Sequence, residues 1–464
     1  MSDLLIKGLT VIATMDSAGT EVKDADILIE NQLIRTIGPN LAAPPGGRVI
    51  DGRGKIAIPG FVNTHHHMFQ IYSRDLPAVA EARNLMDWLH QNSLAWSEID
   101  EEMVYMSALV GLGLLLKTGC TLVSDNHYLF PARAGKELMD AQIRAARELG
   151  IRFLPVRGAI SIDEATTDVY VPEICETDDE ILLDCERLAK LYHDPSPFSM
   201  IRIAVGPVSP YSASERLMRE TVALARSHGL RCHTHLAESP AEDAWCQEAH
   251  GMRPLQWMET LEWTGPDVWY AHGIYLNDEE IQRMGEHGSG LAHCPVSNAI
   301  SGRIAPISRF LEHGVPVGFG VDGGAGFGDM MAEIQTATVL HAYRGSLNGD
   351  FAPLGSTARQ MLHIATQGGA RVLGWEEAGS LAPGKAADIT LIDTRQLDYA
   401  GCISDPTTSA VLFGANHMVD MVIVNGEVVV ENGGLTRIDE SEVVARVREL
   451  SSAFVKRVAK RLQA

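Results

Sequence analysis

No segment of the sequence approaches the run of about 20 apolar residues that spans a bilayer. No cationic stretch leads into an apolar one near the first residues, so neither a membrane helix nor a signal peptide is expected. Basic residues are in deficit, with 38 Lys and Arg against 60 Asp and Glu and a formal charge of −22. Nucleic acid and anionic membranes are bound through clustered Lys and Arg, so neither is expected as a partner. Cysteine is sparse and unpatterned: seven lie at 120, 175, 185, 232, 246, 294 and 402, with no C-x-x-C pair. An odd number at low density excludes a disulfide framework and reads as a reduced, cytoplasmic protein whose thiols fill the core.

What is present is an ordinary globular composition, 45% hydrophobic and 21% charged, on 464 residues. That length is too great for one small core. Both ends are β-rich. Residues 3–38 hold three short β-prone runs, and "DMVIVNGEVVVEN" places Asn425-Gly426 between two more, a strong hairpin signal. Because the ends of a domain commonly lie close together, a single β-sandwich over 1–58 and 376–435 is expected.

Between these ends, amphipathic helical stretches stop at glycine and short apolar runs follow, as in "AARELGIRFLPV" and "LARSHGLRCHTH". Eight such runs, at 56–63, 121–125, 151–156, 200–206, 231–235, 268–272, 290–294 and 316–321, alternate with helices. The pattern implies parallel strands and, at that number, an α/β fold of the (β/α)8 TIM barrel type over 59–375. Residues 436–464 read as a final amphipathic helix.

In such a barrel the chemistry lies where the strands end. Strand one ends in "THHHMF", where extended backbone lets His65 and His67 share a centre while His66 turns away. Strand five ends in "HTHLAE", with His233, His235 and Glu238, and strand six in His272. Strand seven ends in "HCPVSN", with His293 and Asn298, and strand eight in Asp322 followed by glycines. One histidine alone is most often a satisfied core residue. Metal-competent side chains at the ends of strands one, five, six and eight point together to a metal site.

"PGFVNTHHH", "HTHLAE", "AHG", "HCPVSN" and "GVDGG", in this order, resemble the amidohydrolase superfamily. They are similar to the branch with guanine, S-adenosylhomocysteine and cytosine deaminases and s-triazine hydrolases. "GSLAPGKAADITLID" resembles that family's return into its terminal β unit, so the likeness covers nearly the whole chain. It implies one divalent metal on His65, His67, His235 and Asp322, with zinc favoured and iron also compatible. Strand four, "MIRIAVGPVSPYS", lacks the lysine of the two-metal members. The resemblance also implies Asp322 and Glu238 as proton carriers and His272 beside the attacking water. For Glu238 the alternative is a solvated residue opening a helix. The H-x-E…P-C-x-x-C signature of another zinc deaminase class is absent.

"HHHMFQIYSRDLP" and "SDNHYLFP" are similar to 8-oxoguanine and isocytosine deaminases. Gln70 and Arg74 are then candidates for the substrate's carbonyl and N–H edge, with loop structure as the alternative. Trp88 and Trp96 are expected in the core more than against a ligand. The expected activity is hydrolytic deamination of a small heterocyclic base. An s-triazine amino- or chlorohydrolase is the alternative, and a non-catalytic scaffold a remote one. A homo-oligomer is expected from the resemblance alone.

The triplet generates a first prediction. His67→Ala should lose bound metal and activity, whereas His66→Ala should keep most of its metal. Metal content per chain of the purified variants decides this, and equal loss from both would contradict it.

Overall fold

The computed structural model describes residues 3–161, 169–323, 328–347 and 353–461. Eight parallel strands follow one another around a closed barrel: β1 (Phe61–Asn63), β2 (Cys120–His127), β3 (Arg152–Arg157), β4 (Ala204–Val205), β5 (Arg231–Leu236), β6 (Val268–His272), β7 (Gly290–His293) and β8 (Val317–Phe319). Phe319 pairs with Asn63 to shut the ring. Covered by helices outside and packed within, these strands are buried on both faces, which is why they read as continuous apolar runs. Val62, Leu122, Leu154, Ala204, Trp269 and Ala292 come from six strands and pack into one buried cluster with Val372, Leu373 and Trp375. Polar side chains take over at the strands' C-terminal ends.

Strands from both termini join, as expected, in one terminal β unit, a hydrogen-bonded sheet of nine strands. Leu4–Ala13 and Glu21–Glu30 form its amino-terminal part, and Ile389–Asp393, Met421–Val424 and Glu427–Glu431 its carboxyl-terminal part. Lys55–Pro59 lies between the two, pairing with both. A separate apolar core, including Ile6, Ile12, Ile27, Ile389 and Ile423, sits on this sheet. Asn425 and Gly426 take φ of 51° and 81°, as a two-residue hairpin turn requires.

The first and fourth expected strands depart most from those observed. The run 56–63 is two strands, because Lys55–Pro59 belongs to the terminal sheet and Phe61–Asn63 to the barrel. The changeover falls at Gly60, whose N–H donates to the Asp388 carbonyl while that of Phe61 donates to Gly119. A β-carbon at Gly60 would lie 2.1 Å from the Thr121 side chain, so the close crossing admits only glycine. Strand four shrinks from 200–206 to Ala204–Val205, with Ile201 touching the ladder only through a bridge to Phe153.

The terminal helix Glu440–Arg461 lies along the helix Glu101–Lys117. Arg446 pairs with Glu102 and Lys117 with Glu440, and Phe454 is buried 5.9 Å from the Tyr72 ring. Positions 462–464 of the expected helix lie outside the described residues. All seven cysteines are free, and Cys402 alone among them is not buried. Among the described residues no helix is long and apolar enough to cross a membrane.

Barrel and terminal sheet are joined by a buried ion pair. Arg152, at the start of β3, donates from Nε to Asp388 at 2.6 Å and from Nη2 to Asn425 at 2.7 Å. Its Nη1 reaches the Phe198 and Ser199 carbonyls. Removing one partner strands a buried charge, a loss of about 3–5 kcal/mol. Asp388→Ala should therefore lower stability by that amount in urea unfolding, and a loss below about 1 kcal/mol would contradict the pairing as a structural tie.

Candidate metal centre and active site

Beyond Asn63 the chain leaves β1 still extended, so the side chains of His65 and His67 return to the same side. His235 comes from β5 and His272 from the last position of β6. Asp322 follows β8 and forms a bridge to His66. His272 and Asp322 have φ of 73° and 59°, left-handed backbone that costs a non-glycine residue of order 1–3 kcal/mol. Such strain is held by the packing of neighbouring strand ends and turns both side chains inward.

Hydrogen bonds at the far side of each ring decide where its lone pair points. His67 Nδ1 lies 2.8 Å from the Asn126 carbonyl oxygen, and His235 Nδ1 is against that of Val208. A carbonyl oxygen only accepts, so both rings carry their hydrogen on Nδ1 and leave Nε2 bare. For His65 the argument takes one more step. His233 Nδ1 donates to the Trp269 carbonyl at 2.9 Å, so His233 Nε2 must accept from His65 Nδ1 at 2.7 Å. His65 Nε2 is therefore bare as well, and it is buried with no hydrogen-bond partner.

Three Nε2 lone pairs thus converge, all within 4.8 Å of one another, and those of His67 and His235 are 3.2 Å apart. Asp322 Oδ1 completes the group at 3.6 Å from His65 Nε2 and 3.5 Å from His67 Nε2. Burial pushes the His65 imidazole down to about 3, and lowers His67 and His235 likewise, so all three are neutral ligand forms. Converging lone pairs with no donor between them fit a cation. Three imidazoles and one carboxylate are a donor set suited to a divalent transition metal.

The helix Pro295–Ile300 braces Asp322 and His272. Ser297 Oγ donates to Asp322 Oδ2 at 2.6 Å, and Asn298 Oδ1 is 3.0 Å from His272 Nδ1. His272 Nε2 faces Glu238 Oε1 at 3.8 Å. Burial lifts the Glu238 carboxyl above the usual range, against the opposing pull of His272. Glu238 sits on a turn where Ala237 has φ of 51°, and the buried carboxyl of Glu242 accepts both the Ala237 and Glu238 N–H groups, at 2.8 and 3.2 Å.

Of the residues singled out in the sequence, the structure gathers His65, His67, His235, His272, Asp322 and Glu238. Gln70 is buried nearby, donating from Nε2 to the Tyr128 hydroxyl at 3.0 Å. Its Oε1 fills the space over Gly323, where a β-carbon would come within 1.9 Å. Arg74 is exposed, and its charge helps burial hold His66 low. His293 is buried apart from the cluster, beside Phe319. Trp96 lies in the core, edge-on to Phe69, and Trp88 packs on it. The His66 ring does turn from the centre, yet it contacts the Asp322 carbonyl and so ties the two strand ends. The supporting roles of His233, Ser297, Asn298 and Glu242 were not foreseen. "HCPVSN" carried the signal for two of them, and only proximity supplies the partner.

Residues 56–429 match the amidohydrolase family. Among similar proteins, a hydroxydechloroatrazine ethylaminohydrolase of Pseudomonas sp. (strain ADP) is 37% identical over 96% of this chain and 94% of its own. An 8-oxoguanine deaminase of Pseudomonas aeruginosa is 33% identical over 96% of this chain and 98% of its own. The zinc complex of an atrazine chlorohydrolase from Arthrobacter aurescens TC1 superposes with a TM-score of 0.89 at 31% identity, covering 97% of this chain and 100% of that one.

A cation that binds only the folded cluster must stabilise the fold, by about 2.7 kcal/mol at a hundredfold excess over its dissociation constant. The melting temperature should therefore fall on chelation and recover with zinc. A melting temperature indifferent to both would contradict a metal at these residues.

Proposed function

The chain belongs to the amidohydrolase family, and from that premise we propose that it is a metal-dependent hydrolytic deaminase of a small amino-substituted heterocycle. Isocytosine and guanine-type rings such as 8-oxoguanine are the leading substrates, a choice supported by the similarity to the 8-oxoguanine deaminase. The observation that carries this reading is the convergence of three bare imidazole nitrogens and Asp322 beside Glu238 and His272.

We assign His65, His67, His235 and Asp322 as ligands of one divalent ion and infer zinc. The donor set and the zinc complex of the related chlorohydrolase support that choice, although iron(II) accepts the same donors. A single ion is supported by the end of β4, which offers the Val208 carbonyl and no lysine. When bound, such an ion supplies the Lewis acidity that makes water a nucleophile near neutral pH.

The reaction forms a C–O bond at the ring carbon bearing the amino group and breaks the C–N bond there. Asp322 takes the proton that water gives up on attack, with its Oδ2 steadied by Ser297. Glu238, held as the acid by burial, protonates the ring nitrogen beside the reacting carbon. The proton on Asp322 passes to the amino group, which leaves as ammonia, and the hydroxyl proton of the adduct returns to Glu238. His272 orients the attacking water and stabilises developing charge. Gln70 is assigned to the substrate's carbonyl and N–H edge, supported by its place over Gly323. Arg74 is a second candidate that must turn inward to reach it.

An alkylamine leaving from an s-triazine is the second reading, favoured by the 37% identity to the ethylaminohydrolase. We further infer a cytoplasmic, homo-oligomeric enzyme. Unpaired thiols support the first point. The exposed stripe of Val339, Tyr343 and Leu347, four residues apart on one helix, supports the second.

The test is ammonia release from metal-assayed protein given isocytosine, guanine, 8-oxoguanine, cytosine, adenine and amino-triazines. Release from a free base, abolished by chelation and lowered about 10²–10⁴-fold in Glu238→Gln at unchanged metal content, is the expected result. Alkylamine release from a triazine alone would favour the second reading, and a purified chain that holds no metal, takes up no zinc and releases neither ammonia nor an amine would overturn both.

A further inference from the structure

We infer that Ser124–Tyr128, the segment at the end of β2, is a template that sets the strand-one ligands, with Asp125 as its principal positioning residue. The inference rests on the reading of His65, His67 and His235 as metal ligands. Register between β1 and β2 ends at the pair Asn63–Val123, so residues 64–70 pass the site without a ladder to β2. In place of the ladder, one residue after another finds a partner in this segment. Asn63 Nδ2 donates to the Ser124 carbonyl at 3.1 Å. The Asn126 N–H donates to the His66 carbonyl at 2.8 Å, and the Asn126 carbonyl accepts from His67 Nδ1 at 2.8 Å. The Phe69 ring stands edge-on to His127 and Tyr128, and Gln70 reaches the Tyr128 hydroxyl.

Asp125 holds the middle of this series. The tight turn Met68–Tyr72 starts at His67 with no side chain of its own capping it. Asp125 Oδ1 accepts the Met68 N–H at 2.8 Å and so supplies the missing acceptor from the neighbouring strand. Asp125 Oδ2 accepts from Gln142 Nε2, also at 2.8 Å, which anchors the carboxylate to the helix Leu138–Leu149. Asp125 is completely buried, and a carboxylate is a costly group to bury unless both oxygens are used, as they are here. The peptide it grips is the one that joins His67 to Met68. Slack there moves the ring of a ligand.

The geometry also says what can replace it. Gln142 Oε1 is buried without a partner. In Asp125→Asn, the new amide oxygen can keep the Met68 N–H while its NH₂ donates to Gln142 Oε1 after that side chain flips. Asp125→Ala leaves the Met68 N–H buried and unmet.

Zinc affinity of the full chain, measured by competition with a chromophoric chelator, tests this, with the melting temperature of the metal-free protein as a second readout. Asp125→Ala should bind zinc about 10–100-fold more weakly than wild type. Asp125→Asn should return to within about threefold of wild type, which a demand for the charge itself would not allow. Should Asp125→Ala fail to fold, Gln142→Leu frees the same carboxylate and should show a smaller loss in the same direction. Wild-type affinity in either truncation, or equal loss in the Asn and Ala variants, overturns the positioning role. Zinc uptake that vanishes in His67→Ala but is unmoved in Asp125→Ala sinks this inference alone. A wild-type chain that takes up no zinc sinks the metal reading with it.

Discussion

His67 Nε2 and His235 Nε2 lie 3.2 Å apart, and neither has a proton to give the other. Their hydrogens are committed to backbone carbonyls on the opposite edges of the rings, and a relay through His233 commits that of His65 in the same way. Lone pairs facing one another inside a protein repel and are desolvated at a cost. The arrangement is favourable once a cation stands among them. Much of the structure around the site serves to keep those lone pairs aimed. Closure of the barrel brings strands one, five and eight to one point, and the partners on each Nδ1 fix tautomer and rotation.

The barrel divides into two kinds of interior. Toward one end an apolar cluster of strand residues packs with Trp375, and a buried Arg152–Asp388 pair ties that end to the terminal sheet. Toward the other, buried polar groups gather, several of them, His65 Nε2 and His272 Nε2 included, without a hydrogen-bond partner, and the backbone at His272 and Asp322 is strained. Burial raises the Glu238 carboxyl, whereas the neighbouring imidazoles hold Asp322 low despite its own burial, so the two carboxyls are shifted in opposite directions. In the proposed reaction that difference divides acid from base work.

Much of this was legible in the chain. Strands buried on both faces and separated by helices announce a barrel, and histidines at several strand ends announce the metal-competent cluster. The break at Gly60 was hidden because the residues on both sides of it are buried and apolar, so periodicity runs through it unchanged. Strand four was overestimated for a related reason, since 200–203 are apolar in part yet bridge β3 only through Ile201. The supporting residues were less visible still. Serine, asparagine and glutamate at 297, 298 and 242 are ordinary residues until folding sets them against Asp322, His272 and the Ala237–Glu238 turn. His66 passed for a spacer because alternation shows which way a ring points but not that the end of strand eight lies there to meet it.

The measurement that bears most directly on this account is anomalous scattering at the zinc edge from crystals of the purified chain. The account predicts a single peak per chain, bounded by His65 Nε2, His67 Nε2, His235 Nε2 and an Asp322 oxygen, with His272 outside coordinating distance. A peak elsewhere, two peaks at the site, or none in zinc-soaked crystals would contradict it.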